Sequence, residues 1–441
     1  MAAVESRRTG VPRRRWGIAW LLGIGVLVNY FDRVNLSVSH DSLIAAFGIS
    51  NIAFGYLSSA YNWTYAAFQL LIGVLLDKFG VKRVGRAGIF LWSVASFGAA
   101  VTPNLGGLFG ARLLLGVGEA PTFPANAKAV GLWFPPQERS LATAMFDAAA
   151  KFSSAIGVPV IGVALLLAGW RWSFVLTGVI SLAYLFYFWK VYKDPDDDAA
   201  LSEAERNYIE EAENSSGTPR GLDEGQTPLL ELLAKRKVLG LAIGMGAYNY
   251  VFYLLLTWLP SYLSSTLHID LLHSFLYTSV PWIFATLTDI VAGGWLVDFL
   301  VQRGWNASSV RRTILIGGTA CGLGLLGAAH AHTPVRALIW ISMSIGGLSA
   351  ASPVGWSLPS LIARRNDVGK VGGIVNLSNQ ISGISAPIVT GYLVTAFHSY
   401  AWAFGVAAAY LLIGIAAYIF MLGKIERMHD DRLDRQLEGA P

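Results

Sequence analysis

The chain of 441 residues is short of two things, cysteine and charge: Cys321 stands alone, and Asp, Glu, Lys and Arg together make up 14% of the sequence against 54% hydrophobic residues. A single cysteine excludes an intramolecular disulfide and a cysteine-built metal site; inside an apolar run it reads as a small core residue. So little charge excludes a soluble protein of this length, and the mean hydropathy of +0.50 places the chain in a membrane. Polar stretches are scarce too, the one long example running from Lys193 to Lys237. Outside the apolar runs no nucleophile, base and third group come together, and no phosphate-binding loop is present. The sequence therefore gives no basis for hydrolysis or ATP-driven pumping, and the chain is expected not to be an enzyme and to need no cofactor. Nor does the net charge of +5 signal nucleic acid, because the charges sit in short connections instead of on a basic face with interleaved aromatics.

What is present is a succession of apolar runs of spanning length, at about 16–40, 52–76, 84–102, 105–133, 141–167, 172–190, 238–262, 273–299, 312–330, 335–361, 371–397 and 402–422. A bilayer core takes ~20 residues of helix, so these are spans one to twelve of an all-α polytopic membrane protein. Ser6-Arg7-Arg8 and Arg13-Arg14-Arg15 stand ahead of the first run as in a twin-arginine signal. That run is long and contains Asp32-Arg33, so it is expected to be retained behind a basic tail. The expected organisation is a tail over 1–15, a first bundle over 16–192, a linker over 193–237 with a short helix near Ser202 to Glu213, a second bundle over 238–423 and a tail over 424–441. With odd-to-even connections inside, 27 of the 33 Lys and Arg fall in the tails and cytoplasmic loops, which puts both termini in the cytoplasm. The plasma membrane, in a bacterium the inner one, is the expected location, and a monomer the expected state.

An internal echo divides the chain into halves. Gly73-Val74-Leu75-Leu76-Asp77-Lys78-Phe79-Gly80-Val81-Lys82-Arg83 after span two is repeated in part by Gly294-Trp295-Leu296-Val297-Asp298 with Arg303 after span eight. An Asp at a helix end can hold a basic residue or a helix N-terminus on a neighbour, and two repeated halves with a site between them are a transporter architecture. The loop 2-3 pattern Gly-x-Leu-x-Asp-Lys-x-Gly-x-Lys-Arg resembles the signature of the major facilitator superfamily. Asn29-Tyr30-x-Asp32-Arg33 in span one resembles the anion:cation symporter family within it. Gly118-Glu119-Ala120-Pro121 with Phe123-Pro124-Ala125-Asn126 in span four, and Trp133-Phe134-Pro135-x-x-Glu138-Arg139 after it, do so too. The resemblance implies twelve helices in two pseudo-symmetric six-helix bundles and proton-coupled import of an organic anion such as a galactonate, hexuronate, tartrate or aromatic acid. It also implies that Asp77 with cytoplasmic arginines such as Arg83 latches the outward-facing state. Exchange or uniport on the same fold is the alternative, distinguished by whether a proton gradient alone drives accumulation. A transporter-shaped sensor signalling through the linker is a further one, which substrate-dependent flux would end.

Charged residues inside the spans carry the functional reading, because each costs at least ~2.5 kcal/mol at the bilayer centre. Neighbours on a helix point about 100° apart, so Asp32 and Arg33 must find separate partners. Arg33 offers a planar, permanently charged fork that matches a carboxylate: it clamps the substrate, as the matching arginine does in the family, or it bridges permanently to Asp32 or Glu119. Glu119, held between apolar surroundings and an arginine, is placed to exchange a proton as access alternates. By resemblance Glu119 and Asp32 are the proton-coupling carboxylates. Arg112, two turns before Glu119 on nearly the same face, couples or bridges. Asp147 and Lys151 are one turn apart on span five; they pair internally, or Lys151 is a second cationic contact for substrate, a departure from the family that leaves the cargo open. Asp289 in span eight, also outside the family's pattern, partners Lys151 or moves protons. Four acids and four bases inside the spans balance without any substrate. Tyr30, Tyr65, Trp356 and Asn379 match positions used for substrate in relatives; Tyr248, Asn249, Tyr253, Ser357, Asn376 and Gln380 line the cavity or simply join helices. Gly322-x-Gly324-x-x-Gly327 lacks the preceding strand of a dinucleotide fold and is read as helix packing. His40, His268, His273, His330, His332 and His398 gather at the outer ends of spans, solvated or pH-sensitive, and His330-x-His332 is too sparse for a metal site.

Overall fold

The computed structural model describes residues 13–135, 138–215, 227–267, 269, 271–364 and 367–428. The basic tail before residue 13, the linker over 216–226, His268 and the C-terminal tail from 429 lie outside the described residues. No strand occurs among the described residues. Span one is Arg14–Val38, and a helix Asn51–Val101 holds spans two and three, broken at Gly80 where φ is 75°, a left-handed value that glycine adopts without a Cβ clash. Span four is two helices, Leu105–Glu119 and Thr122–Trp133, separated where Pro121 lacks an amide hydrogen. Spans five to seven are Arg139–Ala168, Trp170–Val191 and Arg236–Leu267. Span eight is Leu271–Thr288, a π-helical stretch Asp289–Trp295 and Leu296–Gln302. Span nine runs from Ala307 to Ala329, span ten is Pro334–Ile362, span eleven Val368–Phe397, and span twelve runs from Ala401 to Leu422.

Ten of these helices are individually long and apolar enough to cross a membrane, or eleven if the bent pair His40–Phe47 and Asn51–Gln69 counts as one. Span four fails the same test because its break leaves two pieces of 15 and 12 residues. The observed ends fall within a few residues of the apolar runs, and at three of the starts a polar side chain caps the helix. Ser50 accepts from the Ala53 amide, Asn104 from Gly107 and Asn306 from Ser309. The linker helix, Glu203–Ser215, starts one residue after its expected position. Leu167, Phe186, Val291 and Phe420 are exposed on the outer surface, the distribution expected of a chain whose outside meets lipid.

The two bundles meet mainly at one end. Ser37 Oγ in span one donates to the Thr257 carbonyl in span seven at 2.7 Å, and Asn62 Nδ2 in span two donates to the Gly383 carbonyl in span eleven at 3.0 Å. The hydroxyls of Tyr56 and Tyr392 lie 3.4 Å apart across the same interface. Toward the opposite end, that of Asp77 and the linker, no hydrogen bond or ion pair among the described residues joins one bundle to the other. The molecule is therefore closed at the end of His40 and Asn51.

Candidate functional site

Asp32 and Arg33 diverge as two neighbours on one helix must. The Asp32 carboxylate accepts from Ser96 Oγ of span three at 2.6 Å and from Ser181 Oγ of span six at 3.3 Å. Arg33 turns to span four, where its Nε and Nη2 both lie 2.8 Å from Glu119 Oε2. Tyrosine faces wall in its guanidinium: the carbon lies 4.4 Å from the Tyr30 ring centre, 4.9 Å from Tyr61 and 5.6 Å from Tyr65. Such stacking favours the cation without consuming its N–H donors. Among the described residues no second acceptor engages Arg33, and Glu119 Oε1 has no donor. Arg112 donates to the Asp32 main-chain carbonyl at 3.2 Å and lies over the Tyr61 ring at 5.2 Å, so it braces span one. A narrow space beside Arg33 is lined by Ser58, Tyr61, Arg112, Tyr253 and Thr257.

A second charged group lies between spans five and eight. Lys151 Nζ is 2.7 Å from Asp147 Oδ2 on its own helix and 3.2 Å from Asp289 Oδ2 on span eight. Lys151 and Asp289 are buried, whereas the Asp147 side chain keeps 26% of its exposure. Tyr248 of span seven sits beside Lys151 and Ser352. Rings connect this group to the first: Tyr248 packs on Phe252 with centres 6.1 Å apart, and Phe252 on Tyr30 at 6.5 Å. In this arrangement Lys151 and Asp289 thus form an ion pair between spans five and eight.

Several expectations need correction. Lys128 lies inside span four in the sequence, yet its long stem carries the ammonium to Asp77 Oδ1 at 2.7 Å and the Leu76 carbonyl at 2.9 Å. The intramembrane charges therefore do not balance as four against four: Lys128 is spent at a helix end. In this arrangement Asp77 holds this lysine, and Arg83, expected to join Asp77 in the outward-facing state, is exposed. The echoed Asp298 is exposed with no ion pair among the described residues, while Arg303 stacks on Phe299 at 4.2 Å, so the two halves do not repeat this contact. His40 is not solvated. It is 6% exposed between Phe54 and Trp258, with its Nδ1 2.6 Å from Asp41 and its Nε2 3.1 Å from Asn51. Cys321 is exposed and not a core residue.

In the second bundle Asn379 is buried with both amide atoms unpartnered, and Gln380 Oε1 is unpartnered as well. Asn376 is half-buried, and Trp356 is 42% exposed. None of these touches Arg33 in this arrangement. Asn249 and Ser357 hydrogen-bond to carbonyls of their own helices, Met245 and Val354. Gly327 packs against the Trp340 ring, as a packing role for the glycine pattern requires. Sequence reasoning missed Tyr61, although it stands one turn before Tyr65 on the same face; Ser96 and Ser181 carry no comparable signal.

The family model described as Major Facilitator Superfamily matches residues 22–307. The chain is 39% identical over 416 residues to an uncharacterized transporter of Bacillus subtilis, YybO, covering 94% of this chain and 95% of that protein. It is 31% identical to a D-galactonate transporter of Escherichia coli over 94% of this chain and 97% of the relative. Its fold is similar to the crystal structure of a D-xylose-proton symporter, with a TM-score of 0.73 at 16% identity, covering 94% and 100% of the two chains.

Proposed function

The chain belongs to the major facilitator superfamily of membrane transporters, and on that premise we propose that it imports a sugar acid together with protons. The observation that carries this reading is the buried pair of Arg33 and Glu119 beneath Tyr30, Tyr61 and Tyr65. One guanidinium cannot serve two carboxylates equally. When Glu119 is ionised it occupies the fork; when Glu119 takes a proton, the fork is released to a substrate carboxylate, in a site where bidentate geometry and low polarity strengthen the bond. Binding of the anion and of the proton then favour one another, which is the thermodynamic content of symport. Asp32, held only by hydroxyls and braced by Arg112, is the second coupling carboxylate. The name of the D-galactonate relative supports a sugar acid as cargo.

The bundles rock about this centre. With both termini in the cytoplasm, as the lysine and arginine distribution favours, the closed end faces outside and the structure is the cytoplasm-open state. In the closed-over state Tyr30, Tyr65 and Tyr248 meet Trp356, Asn376 and Asn379, whose unpartnered amides at Asn379 suit the hydroxyls of a sugar acid. Asp77 with Lys128 fixes the end of span two to span four while this happens. Uptake of labelled D-galactonate, D-glucuronate, tartrate and a hydroxyphenyl acid into proteoliposomes, with and without an inward proton gradient, tests the reading. Gradient-dependent accumulation of the sugar acids is expected. Gradient-independent equilibration, or uptake only against an internal anion, would replace symport by uniport or exchange.

A further inference from the structure

We propose that Asp289 is an additional proton-binding site, filled when the bundles part and emptied when they dock. The proposal rests on the rocking-bundle reading above and adds a proton to those carried by Glu119 and Asp32.

The buried carboxylates differ in where each finds its compensation. Glu119 is paired with Arg33, and both belong to the first bundle. Asp32 is held by Ser96 and Ser181, again of the first bundle. Asp147 has Lys151 on its own helix. Asp289 differs: its partner, Lys151, comes from the other bundle, and its Oδ1 has no donor among the described residues. Among the described residues this is the one ion pair that joins the first bundle to the second. The groups that face Asp289 are Lys151 and Asp147 from span five, with Tyr248 of span seven beside Lys151; no other charge from its own bundle reaches it.

Movement of span eight away from span five therefore has unequal consequences. Lys151 keeps Asp147, one turn away on the same helix. Asp289 is left with no counter-charge and no donor in an apolar wall, where an isolated carboxylate is far less stable than the neutral acid. It takes one proton from water in the open cavity and becomes a carboxylic acid. On docking, the Lys151 ammonium pairs with the carboxylate again and the proton leaves to water past Asp147, whose side chain is partly exposed. The backbone is built for this placement: Asp289 opens the π-helical stretch Asp289–Trp295, an irregularity frequent at functional positions, and Gly293 in that stretch lets span eight approach the Ala350 carbonyl of span ten.

The test is the proton-to-substrate ratio, read from the reversal potential of D-galactonate flux in proteoliposomes of the full chain, for wild type, Asp289→Asn and Asp147→Asn. One proton fewer per substrate is expected for Asp289→Asn and an unchanged ratio for Asp147→Asn. An unchanged ratio in Asp289→Asn, or an equal loss in both variants, overturns the proposal. If Asp289→Asn does not transport, the infrared spectrum of purified Lys151→Met protein decides without substrate. A protonated-carboxyl band at neutral pH that disappears when Asp289→Asn is added, and survives Asp147→Asn, is the expected result; its absence overturns the proposal. A wild type that accumulates nothing on a proton gradient refutes symport itself, whereas a coupled wild type whose ratio survives Asp289→Asn refutes this inference alone.

Discussion

Replacing Arg33 by lysine separates the shape of the cation from its charge. Arg33 reaches Glu119 Oε2 through two nitrogens at 2.8 Å while three tyrosine faces hold its plane. A lysine keeps the charge, so Glu119 stays paired and the bundle folds, but one ammonium cannot present two parallel N–H bonds to a substrate carboxylate. Losing one charge-assisted hydrogen bond costs ~1.5–3 kcal/mol, which weakens D-galactonate binding by about 10- to 150-fold. Arg33→Met behaves differently: it strands Glu119, which is fully buried, and lowers stability by ~3–5 kcal/mol. Adding Glu119→Gln to Arg33→Met removes the stranded charge and restores the melting temperature without restoring binding. Equilibrium binding of labelled D-galactonate and thermal unfolding of the four proteins give both readouts. Binding by Arg33→Lys within twofold of wild type, or recovery of binding in the double variant, would refute the fork as the substrate clamp.

Two further predictions address the closed end and the linker. A Cβ at Gly55 would lie 2.6 Å from the Pro387 carbonyl oxygen, so Gly55→Leu is expected to hold spans two and eleven apart. In a Cys321→Ser background a cysteine replacing Ser58 should then react at least ~10-fold faster with an impermeant maleimide added outside, a population shift of ~1.4 kcal/mol; an unchanged rate contradicts the closure described. Near the linker, burial pushes the Asp198 carboxyl up, but the Ala200 amide and the Arg14 guanidinium outweigh it and hold the group below the usual carboxylate range. A lowered value in the folded state means a contribution to stability that is complete above the ordinary aspartate value of ~3.9 and lost as the pH falls through the lowered one. Protease cleavage of the linker should therefore be flat from neutral pH down to about 5 and rise only below about 4, while Asp198→Asn raises it already at neutral pH. Cleavage that rises between pH 7 and 5 in wild type would contradict this.

The spans were legible because the bilayer imposes a long apolar run on each helix and the breaks carry capping residues such as Ser50 and Asn104. The divergence of Asp32 and Arg33 was legible too, since it follows from the turn angle of a helix. Partner choice was not. Arg33 had two acids to choose from, and only packing of span four against span one selects Glu119. Lys151 and Asp289 are separated by 138 positions, and nothing local announces their meeting. Lys128 misled the charge count because a lysine's stem is long enough to leave the segment its backbone occupies. His40 misled by position: a span end is usually wet, but here it is where the bundles close, and Phe54 and Trp258 cover the ring.

The central claim is that protonation of Glu119 drives accumulation. The direct measurement is gradient-driven accumulation and gradient-free counterflow of D-galactonate, side by side, for wild type and Glu119→Gln in proteoliposomes. The account predicts that wild type does both and that Glu119→Gln retains counterflow, because its Arg33 is permanently released to substrate, while losing accumulation. Accumulation by Glu119→Gln at the wild-type level, or uptake by wild type that is the same without a gradient, would contradict it.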